Sequence, residues 1–295
     1  VYTQMLNERG GIEGDITVTR LAEDKFFVVS PGACGVRDFD TLNRRIKQGD
    51  FVTLTDVTSS YTMLAVMGPK SRDFLENLTD ADLSNEAFPF ATAQEINVAY
   101  ARPLAVRMSF VGELGWELYI PAEFSNNVFD ALMVEGQKYN LKLVGLHALD
   151  SLRLEKGYKH WGADITPDQT PLESGLGFCV KMNKVSFMGK EALARQKASG
   201  LKRKLVMFSL EDPEPLVYHD EPIYRNAELI SENTHGAYSH VYGRSIGMCY
   251  LKHPPAIDDD WIMAGKYEIN VAGKLFPIKI HLEPIYDPKS ERVRM

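Results

Sequence analysis

The segment NERGGIEGD, residues 7–15, separates two stretches in which apolar and polar residues alternate. Val1–Leu6 precedes it and Ile16–Leu21 follows it, so the sequence predicts two short strands joined by a glycine-rich turn. Alternation places Asp15 on the polar face of the second strand. Three glycines in five positions let the main chain turn sharply or approach a ligand closely. Asp15 is therefore a candidate functional carboxylate, and the alternative is a solvated aspartate that closes the turn.

The pattern outside this segment changes near Gly200. Up to that point strands and helices interleave, which is typical of an α+β domain. Beyond it, short strands are separated by Pro and Gly turns, which predicts a small antiparallel barrel or sandwich. We therefore predict two domains, 1–200 and 201–295. Other predicted elements are helices at 37–48, 122–139 and 145–156, strands at 95–100, 104–110 and 116–120, and a hairpin that turns at Ala272-Gly273.

Composition excludes several classes of protein. The 295 residues include 33 Lys and Arg against 40 Asp and Glu, a net charge of −7, and 44% are hydrophobic. Such a chain forms an ordinary globular core, and the negative charge argues against a dedicated nucleic-acid binder. No apolar run approaches the ~18 residues of a membrane span. Neither a signal peptide nor a transit peptide opens the sequence, so we expect a cytoplasmic protein, or a mitochondrial matrix protein in a eukaryote.

Familiar catalytic motifs are missing. The sequence contains no phosphate loop, no dinucleotide fingerprint that opens a helix and no serine nucleophile elbow. The seven histidines are scattered, and His235 and His240 have no adjacent carboxylate or cysteine that would favour a metal site. The three cysteines are far apart and are interpreted as reduced thiols. We therefore expect no metal and no nucleotide.

A second carboxylate stands in an unusual setting. In Gly112–Ile120, alternation places Trp116 and its apolar neighbours on one face and Glu117 with Tyr119 on the other. If the second face lines a cavity, Glu117 can accept two parallel N–H bonds from a planar heterocycle. If it faces water, Glu117 is only an edge-strand charge.

Basic residues give two weaker signals. Arg153 closes a predicted helix and could hold a carboxylate ligand, although an internal ion pair with Asp150 or Glu155 is the simpler interpretation. The run 202–204, Lys-Arg-Lys, is a solvated face or attracts an anionic tail.

Five motifs together resemble one known family. They follow in one order over nearly the whole chain: residues 7–15, 112–117, 150–158, 161–164 and 286–289. The set resembles the folate-binding aminomethyltransferases, which include the glycine-cleavage T-protein, and is most similar to the C-terminal half of dimethylglycine and sarcosine dehydrogenases and oxidases. The resemblance implies a three-lobed α+β fold with a C-terminal antiparallel β-barrel.

The resemblance also implies roles for individual residues. The catalytic aspartate of the family falls on Asp15, and the glutamate that holds the pterin edge falls on Glu117. Further contacts with tetrahydrofolate are expected from four residues, namely Phe110, Tyr119, Arg153 and Trp161. The partners implied are folate, a small N-methyl amine such as sarcosine or dimethylglycine, and a flavin-binding domain of the same or another chain.

Departures from the family pattern refine this interpretation. Relatives of the dimethylglycine oxidase type commonly have a tyrosine where this chain has Phe110, so one hydrogen bond to the pterin is expected to be missing. T-proteins have an arginine at the position of Leu149, and the apolar residue here favours the dehydrogenase branch. The folate-binding unit normally begins upstream of Asn7, so we expect the N-terminal part, and FAD with its domain, to lie outside this chain.

Two alternatives stay open at this point. The segments 221–226 and 266–273 also resemble the regulatory subunit of pyruvate dehydrogenase phosphatase, which has this architecture without catalysis. A stand-alone aminomethyltransferase that acts on a lipoyl-bound group is the third possibility. Fold alone does not decide among them.

Overall fold

Thirteen strands and six α-helices are present in the computed structural model, which describes residues 1–295. In chain order they are β1 (Tyr2–Leu6), β2 (Ile12–Arg20), β3 (Phe26–Val29), α1 (Gly35–Asn43), β4 (Tyr61–Met67), α2 (Ser71–Leu75), β5 (Ala93–Glu95), β6 (Leu104–Val106), β7 (Gly115–Pro121), α3 (Ser125–Gly136), α4 (Leu146–Glu155), α5 (Lys190–Ser199), β8 (Arg203–Leu210), β9 (Pro222–Arg225), β10 (Glu228–Ser239), β11 (Arg244–Lys252), α6 (Asp259–Met263), β12 (Tyr267–Val271) and β13 (Lys274–His281).

The chain divides into two compact units. The first contains Val1–Lys47 and Gly157–Ile285, and the second contains Gln48–Lys156 and Tyr286–Met295. The sequence-based division into 1–200 and 201–295 remains a prediction about domains. None of the helices combines the length and the apolar character that a membrane crossing requires.

The first unit begins with an antiparallel sheet in the order β1-β2-β3. The predicted glycine-rich turn joins β1 to β2 and sets a register in which Gln4 lies directly opposite Asp15. The inward face of β2 is buried at Ile12, Gly14 and Ile16, whereas Asp15 is only partly buried. The predicted alternation in this hairpin is therefore confirmed.

Six strands of the first unit form a closed antiparallel barrel in the order β10-β11-β8-β13-β12-β9. Closure removes sheet edges, and apolar side chains such as Phe208, Ile223 and Ile269 fill the interior. The hairpin between β12 and β13 turns where predicted, with positive φ at Ala272 and Gly273, as two-residue hairpin turns require. The predicted α+β fold with a C-terminal antiparallel barrel is confirmed.

The second unit contains a four-stranded sheet in the order β4-β7-β6-β5. Its β7 pairs with β4 on one side and with β6 on the other. The side chains of Trp116, Leu118 and Ile120 on β7 are fully buried. The alternative that Glu117 lies on an edge strand is therefore wrong, because β7 is a central strand with an apolar core behind it.

The C-terminal segment 286–295 packs within the second unit. The main-chain N–H of Tyr286 donates to the carbonyl oxygen of Glu155 at 3.0 Å, and the Lys156 ammonium lies 2.9 Å from the Asp287 carboxylate. Lys156 in turn packs against Gly112, where a Cβ would lie 2.9 Å from its side chain. Gly112 has a φ of +79°, so both space and backbone conformation require glycine at the start of the segment that leads to Glu117.

Several predicted elements are shorter than expected. The predicted strand 95–100 is wrong, because β5 ends at Glu95 and positive φ angles at Ala99 and Tyr100 turn the chain between Val98 and Ala101. Strand β6 ends at Val106 rather than at residue 110, and α1 ends at Asn43 rather than at residue 48. Strand β10 and helix α5 were not predicted from the sequence pattern.

Candidate functional site

The Asp15 carboxylate lies on β2 beside two side-chain donors from β1. The Nε2 of Gln4 donates to its Oδ1 at 2.9 Å, and the Tyr2 hydroxyl donates to the same carboxylate. Burial raises the pKa of Asp15, while these two hydrogen bonds and the charge of Lys159 act in the opposite direction. Asp15 is therefore an oriented carboxylate in a partly dry setting, which suits a base or an electrostatic role.

The turn before β2 is stabilised by hydrogen bonds to Asn7 and by close packing against Pro167. The Oδ1 of Asn7 accepts the main-chain N–H groups of Arg9 at 3.0 Å and Gly11 at 2.9 Å. A Cβ on Gly11 would lie only 1.8 Å from the carbonyl oxygen of Pro167. Glycine is needed at position 11 because another backbone approaches there, and this contact fixes where β2 begins.

Trp161 packs against the start of the same strand. Its Nε1 donates to the carbonyl oxygen of Ile12 at 3.0 Å, and the Arg37 guanidinium lies 3.7 Å from the centre of its ring. These contacts give Trp161 a role in anchoring β2. Its predicted contact with folate stays a prediction.

The Glu117 carboxylate lies on β7 and is also held by one neighbour. The Tyr119 hydroxyl donates to its Oε2 at 2.7 Å, whereas no group of the chain donates to Oε1. Burial raises the pKa of Glu117, and the Tyr119 hydrogen bond opposes this shift. Burial and the adjacent Glu117 also raise the pKa of Tyr119, so this hydroxyl stays a donor. The predicted pairing of these side chains on one face is confirmed.

Arg153 and Phe110 belong to the same unit as Glu117. The guanidinium of Arg153 on α4 is fully buried, and its Nε lies 3.1 Å from the Asp150 carboxylate. The predicted internal ion pair is therefore confirmed. Phe110 is partly buried in the segment between β6 and β7. Folate contacts by both residues stay predictions.

The six predicted site residues thus fall into two groups. Asp15 and Trp161 belong to the first unit, and Phe110, Glu117, Tyr119 and Arg153 belong to the second. Within the groups, the hydrogen bond from Tyr119 to Glu117 joins two predicted residues directly.

The residues that orient Asp15 were not predicted from the sequence. Gln4 and Tyr2 could have been found by pairing the two predicted strands across the turn, because that register puts Gln4 opposite Asp15. Lys159 gives no signal in the sequence, since it lies 144 positions after Asp15.

The sequence also drew attention to the basic run 202–204, to the three cysteines and to possible metal ligands. In the basic run 202–204, Arg203 lies 2.9 Å from the Glu173 carboxylate and Lys204 pairs with Asp259. The three cysteines are free thiols. No group of three or more His, Cys, Asp and Glu side chains is placed to hold a metal ion.

Two family models match the chain. The GCVT N-terminal domain matches residues 1–184, and the glycine cleavage T-protein C-terminal barrel domain matches residues 203–287. Among solved structures, the glycine cleavage system aminomethyltransferase T from Bartonella henselae has a TM-score of 0.82 and 26% identity, over 97% of this chain and 76% of that chain.

Three curated proteins are similar over nearly all of the chain. The 4-methylaminobutanoate oxidase (formaldehyde-forming) of Paenarthrobacter nicotinovorans is 41% identical over 100% of the chain and 35% of the relative. Mitochondrial sarcosine dehydrogenase of Mus musculus is 37% identical over 100% of the chain and 34% of the relative. The mitochondrial pyruvate dehydrogenase phosphatase regulatory subunit of Mus musculus is 37% identical over 97% and 34%. The chain thus spans about a third of the length of these relatives.

Proposed function

The chain belongs to the glycine-cleavage T-protein family, and from this premise we propose that it is the tetrahydrofolate-binding part of an enzyme that oxidises an N-methyl amine. The amine is sarcosine or dimethylglycine, and FAD is carried by a further domain of the same or a partner chain. As the methylene carbon of the iminium forms one bond to each of two tetrahydrofolate nitrogens, both of its bonds to the amine nitrogen break and the two N–H protons pass to that nitrogen. The products are 5,10-methylenetetrahydrofolate and the demethylated amine, which is glycine from sarcosine or sarcosine from dimethylglycine. We place the chain in the cytoplasm, or in the mitochondrial matrix of a eukaryote.

The Glu117 carboxylate is the observation that carries the folate assignment. Its Oε2 is fixed by Tyr119 at 2.7 Å, and Oε1 is open to a donor from a ligand. A planar heterocycle with an amino group beside a ring N–H presents two parallel donors to such a carboxylate. Because a fully buried apolar face backs β7, the position of this acceptor is rigid, which favours orientation of the ring.

Asp15 supports the transfer step. An anionic carboxylate stabilises a cationic iminium and can accept a proton as the new C–N bond forms. Gln4 and Tyr2 hold its oxygens in place, so little reorganisation accompanies the reaction. Since the iminium also reacts with water, a positioned acceptor favours transfer over release of formaldehyde.

Titration of tetrahydrofolate tests the binding site. Glu117→Gln is expected to weaken binding by ~1.5–3 kcal/mol, about tenfold to a hundredfold, because a charge-assisted hydrogen bond is lost. Calorimetry measures the affinity, and the fluorescence of the buried Trp116 gives a second readout. Glu76→Gln is the matched control, since Glu76 is exposed in the same unit. If the parent chain binds no folate, or Glu117→Gln binds like the parent, the folate assignment is wrong.

A transfer assay tests Asp15. A separate sarcosine-oxidising flavoenzyme generates the iminium, and both 5,10-methylenetetrahydrofolate and free formaldehyde are measured. We expect Asp15→Asn to bind folate like the parent and to slow transfer by roughly 10²–10⁴, the usual range for a lost acid or base. Transfer at the parent rate would contradict the assignment.

Two relatives favour alternative functions, and the same assay separates them. Similarity to the phosphatase regulatory subunit favours a regulatory module, which predicts no productive folate turnover and little effect of either substitution. The name of the formaldehyde-forming relative favours release, which predicts formaldehyde as the product even with folate present. A stand-alone aminomethyltransferase would instead use a lipoyl-bound aminomethyl group as its donor.

A further inference from the structure

Residues 286–295 contact both ends of the connection between β6 and β7. We call these residues the strap, and we call the connection, residues 107–114, the loop. Both belong to the second unit. The loop contains Phe110, and the residue before it, Val106, lies directly opposite Glu117 in the sheet. The strap is therefore placed to fix the main chain beside the proposed folate site.

Arg107 begins the loop and is held by the end of the strap. Arg107 is 1% exposed, and its two terminal nitrogens donate to the carbonyl oxygen of Phe88 at 2.7 Å and to the main-chain oxygen of Met295 at 2.6 Å. Arg72 donates to the same Met295 oxygen at 2.6 Å. Because a buried guanidinium needs acceptors for its N–H groups, Arg107 keeps its position only while the strap supplies one.

The other end of the loop is held by the beginning of the strap. The Tyr286 hydroxyl donates to Oε1 of Glu113, and a terminal nitrogen of Arg292 lies 3.3 Å from the same oxygen. The Arg292 guanidinium also lies 5.2 Å from the centre of the Tyr286 ring. Burial and the hydrogen bond to Glu113 raise the pKa of Tyr286 to about 12. Its hydroxyl therefore keeps its proton at neutral pH and remains a donor.

A third contact with the loop runs through Lys156. Its side chain is 1% exposed, and its ammonium lies 2.9 Å from the Asp287 carboxylate of the strap. Its methylene groups pack against Gly112. Because an unpaired buried ammonium is costly, Lys156 stays where Asp287 lies. The position of Gly112 thus depends on an ion pair that the strap completes.

Phe110 lies between these fixed points of the loop. It is partly buried, and it follows Arg107 by three positions and precedes Gly112 by two. The strap therefore limits where the Phe110 ring can lie. Glu117 needs no such support, because β7 pairs with a strand on each side. The strap acts on the ring rather than on the carboxylate.

We propose that Tyr286 and Arg292 are positioning residues, which hold the loop so that the Phe110 ring packs on a heterocycle bound at Glu117. The inference rests on the proposed function, because it requires folate at Glu117. A ring that is held in place before the ligand arrives loses less conformational freedom on binding. Release of the loop should therefore weaken folate binding without changing the transfer step.

Calorimetric titration of tetrahydrofolate against the double variant Tyr286→Phe, Arg292→Gln tests the proposal. Both changes remove donors to Glu113, and neither residue is fully buried, so the chain should still fold. We expect the affinity to fall about tenfold, because the ligand must then supply the ordering that hydrogen bonds to a charged group gave. In the transfer assay, KM for tetrahydrofolate should rise by a similar factor, while kcat stays within about twofold.

The matched control removes the same chemical groups elsewhere in the second unit. It is Tyr139→Phe, Arg102→Gln. The Tyr139 hydroxyl accepts from Asn77 at 2.8 Å, and Arg102 pairs with Glu95 at 3.0 Å. These residues lie outside the loop and the strap, so folate affinity should stay within about twofold of the parent. An equal loss in both double variants would contradict a positioning role.

A double-mutant cycle with Phe110→Ala identifies the residue through which the strap acts. Phe110→Ala alone should weaken binding about tenfold, since a ring contact with the ligand is lost. In the Phe110→Ala background, the two strap substitutions should weaken binding by less than about a further twofold, because the ring that they position is absent.

The outcomes separate this inference from the proposed function. If the parent binds folate and the strap variant binds it as tightly, the strap only stabilises the fold, so the positioning role is wrong and the folate site stands. If the two losses add in the cycle, the strap does not act through Phe110 and the inference is again wrong. If the parent chain binds no folate, both the inference and the proposed function fail.

Discussion

The two candidate carboxylates are held in different ways. Glu117 receives its hydrogen bond from Tyr119, two residues further along the same central strand. Asp15 receives its hydrogen bonds from Gln4 and Tyr2 on the neighbouring strand. The first arrangement persists wherever β7 forms, whereas the second exists only if β1 and β2 pair in the correct register. The two sites should therefore respond differently to changes in their surroundings.

The largest expected effect comes from a change at the turn that sets this register. Gly11→Ala places a Cβ about 1.8 Å from the Pro167 carbonyl oxygen, which the main chain must relieve by moving. We expect a loss of about 3 kcal/mol in the free energy of unfolding, at the upper end for steric overpacking. Denaturant unfolding measures it. Gly32→Ala is the control, because its Cβ would meet nothing within 4 Å. Equal stability of the two variants would contradict the steric argument.

The next effect concerns Asp15 alone. Gln4→Leu keeps the size of the side chain but removes the donor to Asp15, so the pKa of this carboxyl is expected to rise further. We expect the rate of one-carbon transfer to fall about tenfold, the value of one hydrogen bond to a charged group. The acid limb of the pH profile should move to higher pH, and folate affinity should stay within about twofold of the parent. Gln4→Glu replaces the amide donor with a second carboxyl, so like-charge repulsion should move the acid limb further in the same direction than Gln4→Leu does.

An unchanged pH profile for Gln4→Leu would contradict a positioning role. A lower rate without that movement would mean that Gln4 acts only through packing. The pH profile thus shows whether Gln4 orients the Asp15 carboxylate or only helps to pack the hairpin.

Removal of the hydrogen-bond donor to Glu117 should have a smaller effect than removal of the donor to Asp15. Tyr119→Phe removes the donor to Glu117 but keeps the ring and the strand. We expect folate affinity to fall about threefold, because water or the ligand can replace a single hydroxyl donor. The transfer rate at saturating folate should not change. A loss in affinity as large as that of Glu117→Gln would mean that Tyr119 itself binds the ligand.

The difference between a carboxylate held within one strand and one held across two strands also explains which features could be predicted from sequence. Alternation in β7 places Glu117 and Tyr119 on one face, and this pairing needs no knowledge of any other strand. Short strands and the Ala272-Gly273 turn indicated a small antiparallel barrel or sandwich, and the family resemblance implied the barrel. The network at Asp15 was missed, although the glycine-rich turn was seen, because the partner of a residue across a hairpin depends on the loop length.

Other features could not be predicted from local pattern. The sequence of β10, ELISENTHGAYS, lacks a regular alternation, and this strand forms because β9 and β11 pair with both of its sides. The ion pair of Lys156 with Asp287 joins residues 131 positions apart. Periodicity carries no information about such contacts, which follow from how the elements pack.

The smallest expected effect is on stability as a function of pH, and it compares the two carboxyls directly. Burial raises the pKa of both Asp15 and Glu117. A group with a raised pKa in the folded state stabilises the protein fully below its unfolded pKa of roughly 4 and loses this contribution as pH rises through the folded pKa. The neutral isosteres Asn and Gln do not ionise, so they do not lose stability in this way as the pH rises. Asp15→Asn and Glu117→Gln should therefore gain stability relative to the parent between pH 4 and pH 7.

The gain should be larger for Glu117→Gln. Two hydrogen bonds and the charge of Lys159 oppose burial at Asp15, whereas only the Tyr119 hydroxyl opposes it at Glu117. Denaturant unfolding at both pH values measures the difference, with Glu76→Gln as the exposed control. If Asp15→Asn gains more, the cross-strand donors stabilise the ionised carboxylate less than the single donor on β7 does. The inference that its hydrogen bonds keep Asp15 anionic would then be wrong, and with it the reason for giving Asp15 the electrostatic role in transfer.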